Sequence, residues 1–468
     1  MKITNTQAAE AEPSRAIRVY APLYGGNFTT GSGSPLAFVL PGELVEPAPL
    51  RILEPSPHRA APACDHFGAC GGCHYQHTAY PAQLDLKRAI LTNLLTESGL
   101  THLPEIQTES GPEWNYRNRI RLRIEPDAVG KLHAGYSLRG TNDFLPIHMC
   151  PIAAPLLWRA AETFLNLAET DALTKRWLTL TSELELFCTP DESQLQLQFF
   201  LRTAEAAKRE ASTFPTLCDR IQSALNQLSH QLSVPHSSQP HRDEWEIPNS
   251  HPTSIQLTGA SATLDSELNR RARRAWSGAT WGAEGLNYPA AGRQYWLPRG
   301  AFFQVNRFLV DTLVKLVTAN QSGDLAWDLY AGVGLFTRAL AETFAHVVAV
   351  EGAEPAVQSL QSAAKGKGIE AIHSSTLDFL RTREHQRERP SLVVLDPPRA
   401  GLGPEAAHIL ARIAVPTVVY VSCDPTTLAR DLAILTTAYK IETIHLIDLF
   451  PQTFHIETIV HLTRRGVT

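Results

Sequence analysis

Cys423 follows the apolar run TVVYVS and precedes DPTTLARDLAIL, where Asp424 is placed to cap a helix and Pro425 to begin it. A thiol there lies near a helix N-terminus, whose partial positive charge favours the thiolate. The adjacent Asp424 carboxylate opposes ionisation unless the cap engages it. Alone, such a cysteine reads better as a small buried hydrophobe. A second group alters the balance. The stretch IHLIDLFPQTFHIETIVHL reads as a strand, a short connection and a returning strand. If its first strand runs parallel to its neighbours, His455 and Glu457 arrive at the edge that holds Cys423, and a nucleophile shares one mouth with a candidate base.

Gly332 and Gly334 lie between the strand DLAWDLY and the helix LFTRALAETF, where glycine lets a ligand approach the backbone. Glu351 ends the next strand, 19 residues after Gly332, where a carboxylate can accept both ribose hydroxyls. These residues point to a nucleoside cofactor. The loop lacks the Gly-Lys-Ser/Thr ending of a triphosphate site.

The segment CDHFGACGGC supplies Cys64, Cys70 and Cys73, with Gly71 and Gly72 able to bring backbone amides to the sulfurs. The chain has 7 cysteines and shows no export signal, which favours thiolates used as ligands or nucleophiles over a disulfide framework. Residue types alone admit an iron–sulfur cluster or zinc.

A net charge of -5 offers no global attraction to nucleic acid, so any attraction must be local. Arg117, Arg119, Arg121 and Arg123 alternate with Ile120, Leu122 and Ile124, so a strand would turn four guanidinium groups to one face. Arg270, Arg271, Arg273 and Arg274 form a second basic cluster. A solvated strand face and a solvated helix end are the competing readings.

These groups need a framework. With 468 residues, 43% of them apolar, the chain suits two or three domains. The polar N-terminus carries neither a signal nor a membrane anchor, so the expectation is a soluble, cytoplasmic, monomeric protein without a membrane partner. Residues 1–14 read as a flexible tail, and 15–58 as a small β unit broken by tight turns. PAQLDLKRAILTNLLTESGL carries Leu84, Ile90, Leu91, Leu94 and Leu95 at helical spacing, which predicts a helix over 80–99. Residues 227–254, rich in Ser, His and Pro, read as a surface insertion. Beyond about 290, apolar strands alternate with helices, the pattern of an α/β fold with a parallel sheet covered on both faces. The endings DLYAGVG, Glu351, DPPR and SCDP then share the carboxyl edge, where such sheets bind ligands.

In order, AFFQVN, DLYAGVGLF, VVAVE, VVLDPPRAGL, VVYVSCDPTTLARDL and DLFPQTFHIETIVHL resemble the S-adenosylmethionine-dependent RNA uracil-5-methyltransferases. The segment PSPHRAAPACDHFGACGGCHYQHTAYPAQLDLKRAIL is similar to the iron–sulfur segment of members that modify large-subunit ribosomal RNA. The resemblance implies a class I, Rossmann-like methyltransferase domain over 290–468. It also implies a central α+β iron–sulfur and RNA-binding domain over 59–289, whose helix at 80–99 packs on the methyltransferase domain, and a TRAM-like, OB-like β-barrel over 15–58. By match of motif, Cys423 is the nucleophile that adds to C6 of uracil and Glu457 is the base that removes the C5 proton. Gln304, Tyr330, Gly332, Gly334, Glu351 and Asp396 hold S-adenosyl-L-methionine, with Tyr330 standing where many members have Phe. Cys64, Cys70, Cys73 and Cys150 hold a [4Fe-4S] cluster, which leaves Cys188 and Cys218 as structural thiols. Phe302 or Phe303 stacks on the extruded base. The expected partner is RNA, ribosomal in the leading reading and transfer RNA in its rival. An amino-group methyltransferase and a catalytically silent RNA-binding protein are further alternatives, and neither explains Cys423 together with Glu457.

Overall fold

A computed structural model describes residues 16–31, 33–232, 254–264, 278–364, 366, 368–386, 389–413 and 415–466. The tail at 1–14 and the arginines at 270–274 lie outside the described residues. Of the insertion expected at 227–254, the first residues instead continue the helix Phe214–Leu232, and 233–253 lie outside the described residues.

The C-terminal apolar runs form the central layers of one eight-stranded sheet. Its spatial order is Ile369–His373, Phe344–Glu351, Gly323–Leu329, Leu392–Leu395, Thr417–Ser422, Glu457–Arg464, Tyr439–Ile447 and Ile106–Glu109. The period of two sorts side chains between the faces. Trp327, Leu329, Val393, Leu395 and Tyr420 enter one core, while Ala326, Val347, Val394, Val419 and Val421 enter the other. Burying each large apolar side chain contributes roughly 1.5–3 kcal/mol, so a sheet covered on both faces is a rigid base for the loops at its edge. Neighbouring strands are parallel except Glu457–Arg464, which runs antiparallel to both Thr417–Ser422 and Tyr439–Ile447.

The last strand of that sheet, Ile106–Glu109, comes from far upstream and pairs in parallel with Tyr439–Ile447. The helix Tyr80–Glu97 accompanies it, placing Ile90, Leu91 and Leu95 in the core that holds Trp327 and Tyr420. Residues assigned on sequence to the central segment thus complete the C-terminal layer. The hairpin of Gly285–Ala290 and Arg293–Pro298 covers the opposite face, with Tyr288 and Tyr295 buried.

Upstream, five short strands between Ile17 and Glu54 form one sheet around Val19, Phe28 and Val45. The central segment forms a seven-stranded sheet in which Arg119–Pro126 lies between Thr181–Cys188 and Leu132–Ser137. Helices Pro155–Thr170, Ala172–Leu180 and Phe214–Leu232 cover it around Trp177, Phe164 and Phe199. Among the described residues, no helix is long and apolar enough to cross a membrane.

Candidate active site

The glycine loop sits at the carboxyl edge of the sheet. Tyr330, Gly332 and Gly334 adopt φ of 64°, 56° and 90°. A left-handed non-glycine such as Tyr330 is uncommon and marks a backbone shaped for close approach. A Cβ built on Gly332 meets nothing within 4 Å, so the chain leaves open space there. Glu351 closes the loop: its Oε2 accepts from Gly332 N at 2.8 Å and its Oε1 from Ala353 N at 2.6 Å. Each carboxylate oxygen keeps a further lone pair for a ribose hydroxyl. Beneath the loop, buried Asp328 accepts from the Thr337 hydroxyl through Oδ2, and its Oδ1 has no partner. Burial pushes its carboxyl up to about 7, and the Glu351 charge adds to the effect. Gln304 is also buried, with its carbonyl accepting from Asn118 Nδ2 at 3.2 Å.

Cys423 and Glu457 meet because of strand register. Ser422 pairs with Thr458 across the antiparallel strands, so the next residue on one strand, Cys423, faces the preceding residue on the other, Glu457. Asp424 caps the helix Pro425–Leu435, its Oδ1 accepting from Thr426 N at 3.0 Å and Thr427 N at 3.1 Å. The cap therefore occupies the amides that would have favoured a thiolate. Burial instead pushes the Cys423 thiol up to about 12; the Glu457 and Asp396 charges reinforce this, and Arg399 opposes it. In the resting site the thiol is protonated.

Asp396, at the end of Leu392–Leu395, and Glu457, only 3% exposed, interact as a carboxyl pair. Burial raises both, Asp396 adding to Glu457 and Asp328 to Asp396. A carboxylate raised in this way is a stronger proton acceptor near neutral pH. His455 points to another role: burial and the nearby Arg399 cation lower it to about 3, and its Nδ1 lies 3.4 Å from Arg399 Nη2. His455 is thus a weaker base than Glu457. Tyr24, from the N-terminal sheet, reaches the same mouth; its hydroxyl donates to Asp424 Oδ2 at 3.3 Å and its ring packs edge-on against Phe454.

Cys64, Cys70, Cys73 and Cys150 line one cavity of about 460 Å³, together with Arg117, Arg119 and Tyr136. Gly72 N donates to Cys70 Sγ at 3.4 Å, and Tyr136 Oη to Cys150 Sγ at 3.8 Å. Burial raises Cys73 to about 12 and Cys150 to about 11, and the cysteines raise one another further. Among the described residues, no three His, Cys, Asp or Glu side chains stand as a site for a metal ion. Cys188 and Cys218 are buried in the core of the seven-stranded sheet.

The arginine strand alternates as expected from Arg119 to Arg123, while Arg117 precedes it and bridges to Ala153 and Asn306. Its charges, however, are largely met within the sheet. Arg121 pairs with Glu183 and stacks over Phe200 at 3.7 Å; Arg119 lies 3.9 Å from Glu185 and 4.1 Å over Phe187; Arg123 pairs with Glu125 at 3.2 Å. The free cationic face expected from sequence is thus an ion-paired one, because the adjacent strand Thr181–Cys188 alternates acids in register with the arginines. Phe302 is 69% exposed, whereas Phe303 packs in the core against Tyr288 at 4.8 Å. Reasoning from sequence did not single out Asp328, Arg399 or Tyr24. Asp328 had a usable signal, since a charged residue inside the apolar run LAWDLY is costly to bury without a role.

The model of the tRNA (Uracil-5-)-methyltransferase family matches residues 283–465. A protein of Chromohalobacter salexigens named 23S rRNA (uracil(1939)-C(5))-methyltransferase RlmD is 30% identical over 421 residues, spanning 88% of this chain and 78% of that protein. Its namesake in Pseudomonas entomophila is 28% identical over 429 residues, spanning 89% and 83%. Among solved structures, the Pyrococcus abyssi tRNA (uracil-54, C5)-methyltransferase in complex with S-adenosyl-L-homocysteine superposes with a TM-score of 0.67. That match covers 96% of this chain and 100% of that one at 22% identity, a likeness of fold, and the fold is that of a class I methyltransferase. With this shared architecture and a relative at 30% identity over most of both chains, the protein belongs to the RNA uracil-5-methyltransferase family.

Proposed function

We propose that the protein methylates C5 of a uridine in 23S ribosomal RNA through a covalent adduct between Cys423 and C6 of the base. The observation that carries this reading is the Ser422–Thr458 register, which sets Glu457 across from Cys423. C5 of uracil is a weak nucleophile. Addition of the Cys423 thiolate to C6 breaks the C5=C6 π bond and makes C5 enolate-like. S-adenosyl-L-methionine, when bound, supplies the electrophilic methyl group on its sulfonium. Glu457 then takes the C5 proton, the C5=C6 bond re-forms and the C6–S bond breaks, returning the thiolate. Since the resting thiol is protonated, Cys423 must first give its proton to solvent, and Arg399, the cation that acts on Cys423, favours the thiolate formed. The glycine loop fits the cofactor through the open space at Gly332, the free lone pairs of Glu351 and the orphaned Oδ1 of Asp328. Gln304, Tyr330, Gly334 and Asp396 complete the proposed set.

For the second cofactor, four thiols around one cavity suit a [4Fe-4S] cluster held by Cys64, Cys70, Cys73 and Cys150. One zinc ion would draw all its sulfurs to about 2.3 Å from a single point. Arg117, which acts on Cys150, and Arg139, which acts on Cys70 and Cys73, favour an anionic cluster over neutral thiols. For RNA, the exposed Phe302 is the proposed stacking surface for the extruded base. Arg119, Arg121 and Arg123 contribute by exchanging carboxylate partners for phosphate, and Arg117, whose Nε donates to the Arg119 carbonyl at 3.3 Å, contributes its charge.

Mass-spectrometric mapping of 5-methyluridine in ribosomal and transfer RNA, from cells with and without the protein, tests the substrate. Loss of a single 23S site supports the reading. Loss confined to transfer RNA would favour the second reading, which the matched family model and the Pyrococcus abyssi structure motivate.

A further inference from the structure

The loop that delivers Glu457 is held from outside its own pair of strands. It runs between Tyr439–Ile447 and Glu457–Arg464. At its start, Asp448 Oδ1 lies 2.6 Å from Lys87 Nζ, both side chains having no exposure, and Asp448 Oδ2 accepts from the Tyr80 hydroxyl at 3.0 Å. Lys87 Nζ also donates to the Phe450 carbonyl at 3.0 Å, and Phe450 N to Asp448 Oδ1 at 3.3 Å. Further along, Gln452 takes φ of 68°. Its backbone N donates to Gln83 Oε1 at 3.0 Å, while its side-chain oxygen accepts from Gln83 Nε2 at 2.9 Å. The Gln452 carbonyl accepts from both His74 N at 2.8 Å and Tyr75 N at 3.0 Å, the two amides directly after Cys73.

A buried ion pair is weak evidence of stabilisation, because desolvation opposes the Coulomb attraction and an apolar pair of similar volume often serves as well. What directional bonds supply is a single geometry. Here they fix backbone atoms at Phe450 and Gln452 in a loop with no ladder of its own. A base must stand within hydrogen-bond reach of the proton it removes, and a small displacement costs rate.

We propose that Lys87, Tyr80 and Gln83, on the helix Tyr80–Glu97, are positioning residues that hold the 448–452 loop so that the Glu457 carboxylate reaches the C5 proton of the adduct. This rests on the reading of Glu457 as the base. It also gives the cysteine segment a place in the reaction: the chain leaving Cys73 clamps the same loop, although more than three hundred residues separate them in sequence.

The test uses full-length protein, S-adenosyl-L-methionine and a 23S ribosomal RNA transcript, prepared with uridine or with 5-fluorouridine. The fluorinated base has no C5 proton, so the rate of adduct formation on it reads thiol addition and methyl transfer alone. Turnover on the ordinary transcript requires the base. Lys87→Met is expected to form the fluorinated adduct within about threefold of the wild-type rate. Its turnover should fall about tenfold, with a methylated adduct accumulating on ordinary RNA. Tyr80→Phe, which removes one hydroxyl, should show the same split at about threefold; if Lys87→Met is insoluble, Tyr80→Phe decides. A parallel fall in both rates, as general destabilisation would give, overturns the proposal, and so does an unchanged ratio. Glu457→Gln run alongside separates the two levels: absence of adduct there removes the base assignment itself, whereas adduct there with no split in the helix variants removes only the positioning role.

Discussion

Glu457 stands across an antiparallel strand pair from Cys423, one residue beyond the paired Ser422 and Thr458. The proposed nucleophile and base are thereby both carried at the ends of neighbouring strands in the sheet. Their electrostatics are linked as well, since Glu457 and Asp396 both raise the Cys423 thiol.

Removing the sulfur should abolish chemistry without emptying the cofactor site. Cys423→Ala is expected to form no adduct and give no product above background, while binding S-adenosyl-L-homocysteine within about twofold of wild type by calorimetry. Near-normal turnover in this variant would eliminate the covalent route.

The thiol's raised pKa has a definite sign in alkylation. Only the thiolate reacts with iodoacetamide, so the rate at Cys423 should climb with pH toward about 12. Removing a nearby negative charge stabilises the thiolate. Glu457→Gln should therefore speed alkylation at pH 8 several-fold, and a slower or unchanged rate would contradict the linked site.

In the proposed mechanism, proton removal from C5 needs Glu457 ionised, and burial with Asp396 raises its pKa. The rate of adduct resolution should accordingly rise with pH through a midpoint above the ordinary carboxylate range. Asp396→Asn takes away a negative charge, lowers the Glu457 pKa and should shift that rise to lower pH. Rapid-quench measurement of adduct decay between pH 5.5 and 9 checks the direction.

The two glycines of the cofactor loop should respond differently to alanine. Both are left-handed, which costs an L-residue roughly 1–2 kcal/mol. At Gly334 the new Cβ also meets Leu360 Cδ1 at 2.8 Å, so Gly334→Ala should show the larger drop in melting temperature. Gly332→Ala is unobstructed within the protein, and its main effect should be a loss of S-adenosyl-L-homocysteine affinity. Equal affinity in Gly332→Ala and wild type would place the cofactor elsewhere.

For the cysteines, the expected product of anaerobic purification is a brown protein containing iron. Serine at Cys64, Cys70, Cys73 or Cys150 should lower the iron content sharply, whereas serine at buried Cys188 or Cys218 should leave it unchanged. Stoichiometric zinc without iron would remove the cluster assignment.

The C-terminal sheet was readable because runs such as TVVYVS and HVVAVE are continuously apolar between their ends, as strands buried on both faces must be. The Cys423–Glu457 meeting followed from a strand that returns beside another, a matter of order along the chain. Other features depend on registers between distant strands, which no local pattern reports. The strand Ile106–Glu109 is four residues long and has no usable periodicity. Arg121 and Glu183 meet, diagonally across the ladder, only because Arg119–Pro126 pairs with Thr181–Cys188. The rise of the Cys423 thiol comes first from burial and then from the carboxyls of Glu457 and Asp396, each from a different strand.

The pairing of Ile106–Glu109 with Tyr439–Ile447 means that the catalytic layer cannot be severed from the upstream chain without harm. A fragment beginning near residue 290 would leave the Tyr439–Ile447 edge bare, an invitation to self-association. It would also strand the Asp448 carboxylate in the interior without its cation. The C-terminal sheet and the upstream chain are therefore interlaced and cannot be exchanged as separate modules.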